Sequence, residues 1–179
     1  ALLMSYQYPF EPTATEGEVD YDIFQAVKDE GSGWITCAEW MPDNITAMAG
    51  TGSRVWTLGP KSYQIFNFNN DINYPFTSPD TAAAAIGILA PNSLCVIGPR
   101  VFWVGSSDIG NNGIYMGNIN EVSRISNPDI ERSISLMANP SDAIGQVWME
   151  NSHVFYSITF ITDNKTFVYD VNEDRWHDR

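Results

Sequence analysis

The chain has 179 residues, 44% hydrophobic and 13% aromatic, with 22 acids against 9 bases and a formal net charge of −13. That length and apolar content allow one domain with a sizeable core and exclude a disordered chain. Lys and Arg are too few and too scattered for a phosphate-binding stripe, so specific nucleic-acid binding is not expected.

In chain order, residues 1–33 come first. They hold Pro9, Pro12, Gly17, Gly31 and Gly33 with an acidic cluster from Glu16 to Asp22, and read as mostly irregular. A short helix over Ile23 to Lys28, capped by Asp22, is the one element expected there. The start, Ala1-Leu2-Leu3-Met4-Ser5, has neither the basic region nor the long apolar region of a signal peptide. It also lacks an initiator Met, so a fragment or a processed product is expected. No apolar run is long enough to predict a membrane-spanning helix.

Beyond residue 33 three aromatic strand cores recur. They are Ser53-Arg54-Val55-Trp56-Thr57-Leu58-Gly59, Pro99-Arg100-Val101-Phe102-Trp103-Val104-Gly105 and Ser152-His153-Val154-Phe155-Tyr156-Ser157. Each sets a basic residue before Val and an aromatic residue. The cores lie about 46 and then 53 positions apart, near the period of propeller blades. An apolar strand precedes each core: Ile45 to Met48, Leu94 to Ile97, and Ile144 to Trp148. A third strand follows each: Ser62 to Phe66, Gly113 to Met116, and Thr166 to Tyr169. Val122 to Ile125 and Arg175 to His177 add a fourth, outer strand to the second and third units.

The fold class predicted is all-β: propeller-like blades of three to four antiparallel strands at about 34–76, 82–126 and 141–179, after an irregular segment 1–33. One short helix interrupts them. Asn127 suits the cap, Pro128 the first helical position, and Asp129 and Glu131 the positive end of the helix dipole. It is predicted to run to Met137 and to stop near Asn139-Pro140. Closed propellers usually need at least four blades, so a longer natural protein is expected.

Candidate sites are few. Cys37 and Cys95 read as small buried hydrophobes. Their spacing does not argue for a disulfide, and only His153 and His177 could join them around zinc. Ser106-Ser107-Asp108-Ile109-Gly110 starts like an Asp box, but Asn111-Asn112-Gly113 follow, and the stretch reads as a polar hairpin loop. Asp170-Val171-Asn172-Glu173-Asp174 fits the first half of a calcium loop. Arg175 stands where that loop needs Gly, so an acidic tight turn is the better reading. No nucleophile motif accompanies His153 or His177, although a histidine–aspartate pair is open to either. Gly50-Thr51-Gly52 and Gly110 to Gly113 lack the Lys of a phosphate loop. Asn44-Ile45-Thr46 and Asn164-Lys165-Thr166 fit the glycosylation triplet, which is common by chance.

The segment from about Ala38 to Arg179 resembles the packaged-DNA stabilisation proteins (tail hub or head-completion proteins) of P22-like short-tailed phages. The ordered matches begin with Pro42-Asp43 and Ile45 to Met48, then Val55 to Gly59 with Gln64-Ile65-Phe66. Asn73 to Thr77, Gly87 to Pro91 and Val101 to Gly105 follow. Arg124-Ile125-Ser126 precedes Ile130-Glu131, with Asp129 in place of the family's Ala. Asp142 to Gly145, His153 to Tyr156 and Phe167 to Asp170 come next. Trp176-His177-Asp178-Arg179 closes the set, with Asp178 where the family usually has Glu. The first 35 or so residues match poorly.

The resemblance implies a β-propeller virion protein, made in the bacterial cytoplasm, that forms a homo-oligomeric ring, a hexamer by family-level expectation, below the portal and its adaptor. It implies retention of packaged DNA and attachment of the tail needle and tailspikes. No catalytic residue, cofactor-binding residue or metal ligand carries over, so an enzyme and a bound cofactor are not expected. In this setting Trp176 would pack between strands, and His177 or Arg179 would bond neighbouring backbone or carboxylates. An acid-lined ring channel would repel phosphates and let DNA slide. Two other readings stand beside this one: a carbohydrate-binding or glycan-hydrolysing propeller, and a cellular protein-interaction propeller.

Overall fold

The computed structural model describes residues 2–4, 33–35, 43–69, 76–79, 83–107, 112–118 and 121–178. The helix expected over Ile23 to Lys28 lies outside them. Near the start, Leu2–Met4 (β1) and Gly33–Ile35 (β2) form an antiparallel two-stranded ribbon, with Leu3 opposite Trp34.

Three antiparallel sheets follow in chain order, as the aromatic repeats predicted. The first contains Ala47–Thr51 (β3), Arg54–Leu58 (β4), Tyr63–Phe68 (β5) and Phe76–Thr77 (β6). A further strand, Ala83–Ala84 (β7), pairs with the opposite end of β5, Tyr63 facing Ala84. The sequence predicted three strands here. The two additional ones have two residues each, too short for any hydrophobic period to register.

The second sheet contains Ile86–Ile97 (β8), Arg100–Ser107 (β9), Asn112–Gly117 (β10) and Val122–Arg124 (β11), in the order β11-β10-β9-β8. β8 begins eight residues before the expected Leu94, and its register shifts on either side of Ala90. Pro91 cannot donate to a ladder, which suits a bulge. Ser93 bridges the gap: its Oγ donates to the Ala90 carbonyl (2.6 Å) and accepts from Val104 N–H (2.8 Å).

The third sheet is a meander of Ile144–Glu150 (β12), His153–Phe160 (β13), Lys165–Asp170 (β14) and Arg175–Asp178 (β15). Its first hairpin turns through Asn151 and Ser152, with φ of 50° and 67°; two left-handed central residues match the twist of the flanking strands.

Helix α1, Pro128–Ser135, links the second sheet to the third. Asn127 Oδ1 accepts from Ile130 N–H at 2.9 Å, as a cap should. The helix stops two residues before the predicted Met137, where Met137 N–H bonds the Ile134 carbonyl in a tightened last turn. Ile130 and Ile134, one turn apart, are its buried residues.

The sheets stack face to face around the second. Alternation along β9 sends Val101 and Trp103 to one side and Phe102 and Val104 to the other, all four with no exposed surface. Trp103 and Val101 join Trp56, Leu58, Tyr63 and Ile65 of the first sheet. Phe102 and Val104 join Tyr156, Ile158, Phe160 and Phe167 of the third, with the two helix isoleucines. A strand buried on both faces must be apolar throughout, which is why the second repeat is the most continuous of the three. The first strands of the sheets, β3, β8 and β12, are neighbours, with β8 touching both of the others. Inner strands side by side with meanders running outward are the arrangement of propeller blades.

A carboxylate repeats as a turn clamp. Just before β3, Asp43 Oδ2 accepts from Lys61 N–H (2.8 Å), Ser62 N–H (2.9 Å) and Ser62 Oγ (3.1 Å), all in the β4–β5 turn. Just before β12, Asp142 Oδ2 accepts from Thr162 N–H (2.8 Å) and Oγ1 (2.5 Å) in the β13–β14 turn. The Thr162 hydroxyl bond chiefly holds the Asp142 carboxyl below the ordinary carboxylate value. Both aspartates belong to the ordered family matches in the sequence, and both hold the outer part of a blade to its inner strand.

Candidate functional site

A cleft of about 490 Å³ lies on the outward face of the third blade. Trp148 from β12, His153 and Phe155 from β13, Val168 and Asp170 from β14, and His177 from β15 line it. Its aromatic floor is a cross-strand stack: Trp148 and Phe155 centroids lie 5.3 Å apart, and His153 lies over Phe155 at 6.1 Å.

The repeat explains this face. Trp56, Phe102 and Phe155 hold the same third position in their strands. Trp56 and Phe102 have no exposed surface, each packed against the following blade, whereas Phe155 is half-buried and faces the cleft. The cleft is therefore a blade face of the kind that elsewhere packs on another sheet. This geometry suits packing better than turnover.

Polar chemistry gathers at one end, where the β12–β13 and β14–β15 turns meet. His153 Nδ1 and Asp170 Oδ2 are 2.7 Å apart. Asp170 Oδ1 accepts from Asn172 N–H (2.8 Å) and Glu173 N–H (3.2 Å). Burial raises the pKa of Asp170, but the His153 bond and the two amides outweigh it and leave the carboxyl below its ordinary value. The histidine–aspartate pair left open by the sequence thus falls on His153, seventeen residues before its partner. His177 is exposed and, among the described residues, has no hydrogen bond to a Ser, Thr or Cys.

The half calcium loop closes on itself. Asn172 Oδ1 accepts from Val154 N–H at 2.9 Å, and Asp174 Oδ1 from the Tyr169 hydroxyl at 2.5 Å. Burial and then that acceptor raise the Tyr169 hydroxyl far above its ordinary pKa. With these oxygens turned inward, the stretch is the acidic tight turn that the missing Gly predicted.

The remaining candidates fall into structural roles. Cys95 is a half-buried free thiol in the core between the second and third blades, its pKa raised by burial, which keeps it protonated and unreactive. Cys37 and Asp108 to Asn111 lie outside the described residues, as does Arg179. Gly50-Thr51-Gly52 spans the end of β3 and its turn, with Gly52 at φ 58°. Asn44 and Asn164 are exposed. Trp176 does more than pack between strands: its ring lies 4.9 Å from Tyr169, and its Nε1 donates to the Ile125 carbonyl of the second blade at 2.7 Å. No short motif marks such a contact, because its partner lies 51 residues away.

These antiparallel sheets, packed face to face through aromatic layers, are the blades of a β-propeller. A family model described as bacteriophage P22 Gp10, β-propeller, matches residues 24–177. The chain belongs to this family of phage packaged-DNA stabilisation proteins. A search of curated proteins returned no match.

Proposed function

We propose that this protein is a structural component of the head-to-tail connector of a short-tailed phage. In this reading it assembles as a hexameric ring on the portal–adaptor ring, seals the portal channel, retains packaged DNA and carries the tail needle and tailspikes. It acts by packing rather than by catalysis, binds no specific nucleic-acid sequence, and resides at the head–tail junction of the virion. The observation that supports this most is the family match across residues 24–177, on a fold whose buried aromatic residues pack between blades.

Charge placement refines the idea of an acid-lined channel. Among the described residues the innermost strands β3, β8 and β12 carry a single acid, Glu150, while Glu121, Asp129, Glu173 and Asp174 sit exposed on turns, outer strands and the helix. Acids that keep DNA from sticking would therefore line the channel of the assembled ring, not the axis of one propeller.

Light scattering after size exclusion, on the protein alone and mixed with the portal–adaptor ring from the same genome, tests the proposal. A stable complex holding several copies per ring is expected. A monodisperse monomer with no association would overturn it and turn attention to glycan binding.

A further inference from the structure

We propose that His153, Asp170 and Glu173 form a binding site for a zinc-like divalent cation at the rim of the third blade. Each residue offers one ligand atom, and the three atoms lie within 4.8 Å of one another. One imidazole nitrogen with two carboxylate oxygens is a donor set that suits zinc, whereas calcium would take oxygens alone.

The groups come from separate elements and are positioned before any ion arrives. Asp170 is 3% exposed, the amides of Asn172 and Glu173 fix its Oδ1, and its Oδ2 lies 2.7 Å from His153 Nδ1 in a hydrogen bond that a bound ion would replace. Such anchoring of a ligand's second oxygen is what orients metal-binding carboxylates. The His153 ring is steadied by its stack on Phe155. Glu173 is exposed on the turn, and the cleft leaves room beside the cluster for water as a further ligand. Of the calcium-type stretch only Asp170 and Glu173 take part, since Asn172 and Asp174 spend their side-chain oxygens on Val154 and Tyr169. A bound ion would tie the start of β13 to the β14–β15 turn and hold the blade's last hairpin closed.

The test uses the whole chain, stripped with EDTA and exchanged into chelator-free buffer, titrated with zinc chloride against a chromogenic chelator. One zinc ion per chain is expected, with an unfolding midpoint that rises with zinc and returns with EDTA. H153A and E173A should each weaken binding by at least about tenfold. E173A alters an exposed side chain and keeps the test open should H153A misfold, while E121Q, remote in the second blade, should bind as the parent does. Absence of saturable binding, or equal affinity in the parent and E173A, would overturn the proposal.

Discussion

Tyr156 offers the sharpest test of how the second and third blades are joined. Its side chain has no exposed surface, stacks on Phe102 at 4.8 Å, and donates its hydroxyl to the Ser93 carbonyl at 2.8 Å. Ser93 lies in the β8 bulge and is itself fully buried, so water cannot replace the lost donor in Y156F. The ring and its stack survive the substitution, which isolates the bond. A neutral hydrogen bond is worth about 1 kcal/mol net, and a buried carbonyl left without a partner costs about 1–3 kcal/mol. Taking about 2 kcal/mol as the centre, a chain of this size should melt about 4–8 °C lower. Urea unfolding should show a lower midpoint with an unchanged slope. Y169F is the companion measurement: its acceptor, Asp174, is exposed and can turn to water, so its cost should stay below about 1 kcal/mol. If Y156F lies within about 0.5 kcal/mol of the parent, the Ser93 carbonyl is not held by this hydroxyl and the blade joint has been misassigned.

Other expectations rest on single contacts. A Cβ at Gly117 would sit 2.4 Å from the Trp56 ring, so G117A should cost about 1–3 kcal/mol and change the near-ultraviolet circular dichroism; an unchanged spectrum would place Trp56 elsewhere. N127A should lower urea stability by about 1 kcal/mol through loss of the α1 cap, and no loss would show that the helix end is held by packing alone. Asp170 has a folded pKa below its ordinary value, so its stabilising contribution is present above about pH 4 and is lost as pH falls through the depressed folded value. D170N should therefore flatten the acid decline of stability below about pH 4, and urea midpoints that fall in parallel for both proteins would count against that role.

The blade pattern was legible because the repeat is one of burial, not of identity. Val55-Trp56, Val101-Phe102 and Val154-Phe155 mark the second strand of each sheet, and strands flank them at hairpin distance. β6, β7 and the first half of β8 were not legible. Two residues carry no period, and in β8 the bulge around Pro91 breaks the alternation that would extend the strand back to Ile86. The polar cluster was hidden for a different reason. His153 and Asp170 become neighbours only through the register that sets Phe155 opposite Asp170. Sequence spacing suggested His177 beside Asp178 just as readily.

The same register bears on why this family is recognisable without a catalytic signature. Two kinds stand out among the matched residues: aromatic and aliphatic side chains that fill the layers between blades, and aspartates such as Asp43 and Asp142 that clamp outer turns to inner strands. The first kind fixes how one sheet sits on the next, and the second ties each blade's outer turn to its own inner strand. Losing a buried aromatic side chain costs about 3–5 kcal/mol, so these positions constrain a sequence as strongly as a catalytic group would, although they touch no substrate. Fold alone does not decide function. On the proposed reading, a protein that surrounds a DNA channel needs its binding energy inside itself, in layers that resist shear. Val101, Phe102, Trp103 and Val104, buried without remainder on both faces of one strand, would meet that demand. So would the joints between the second and third blades, made by directed bonds, Tyr156 to Ser93 and Trp176 to Ile125, as well as by apolar contact.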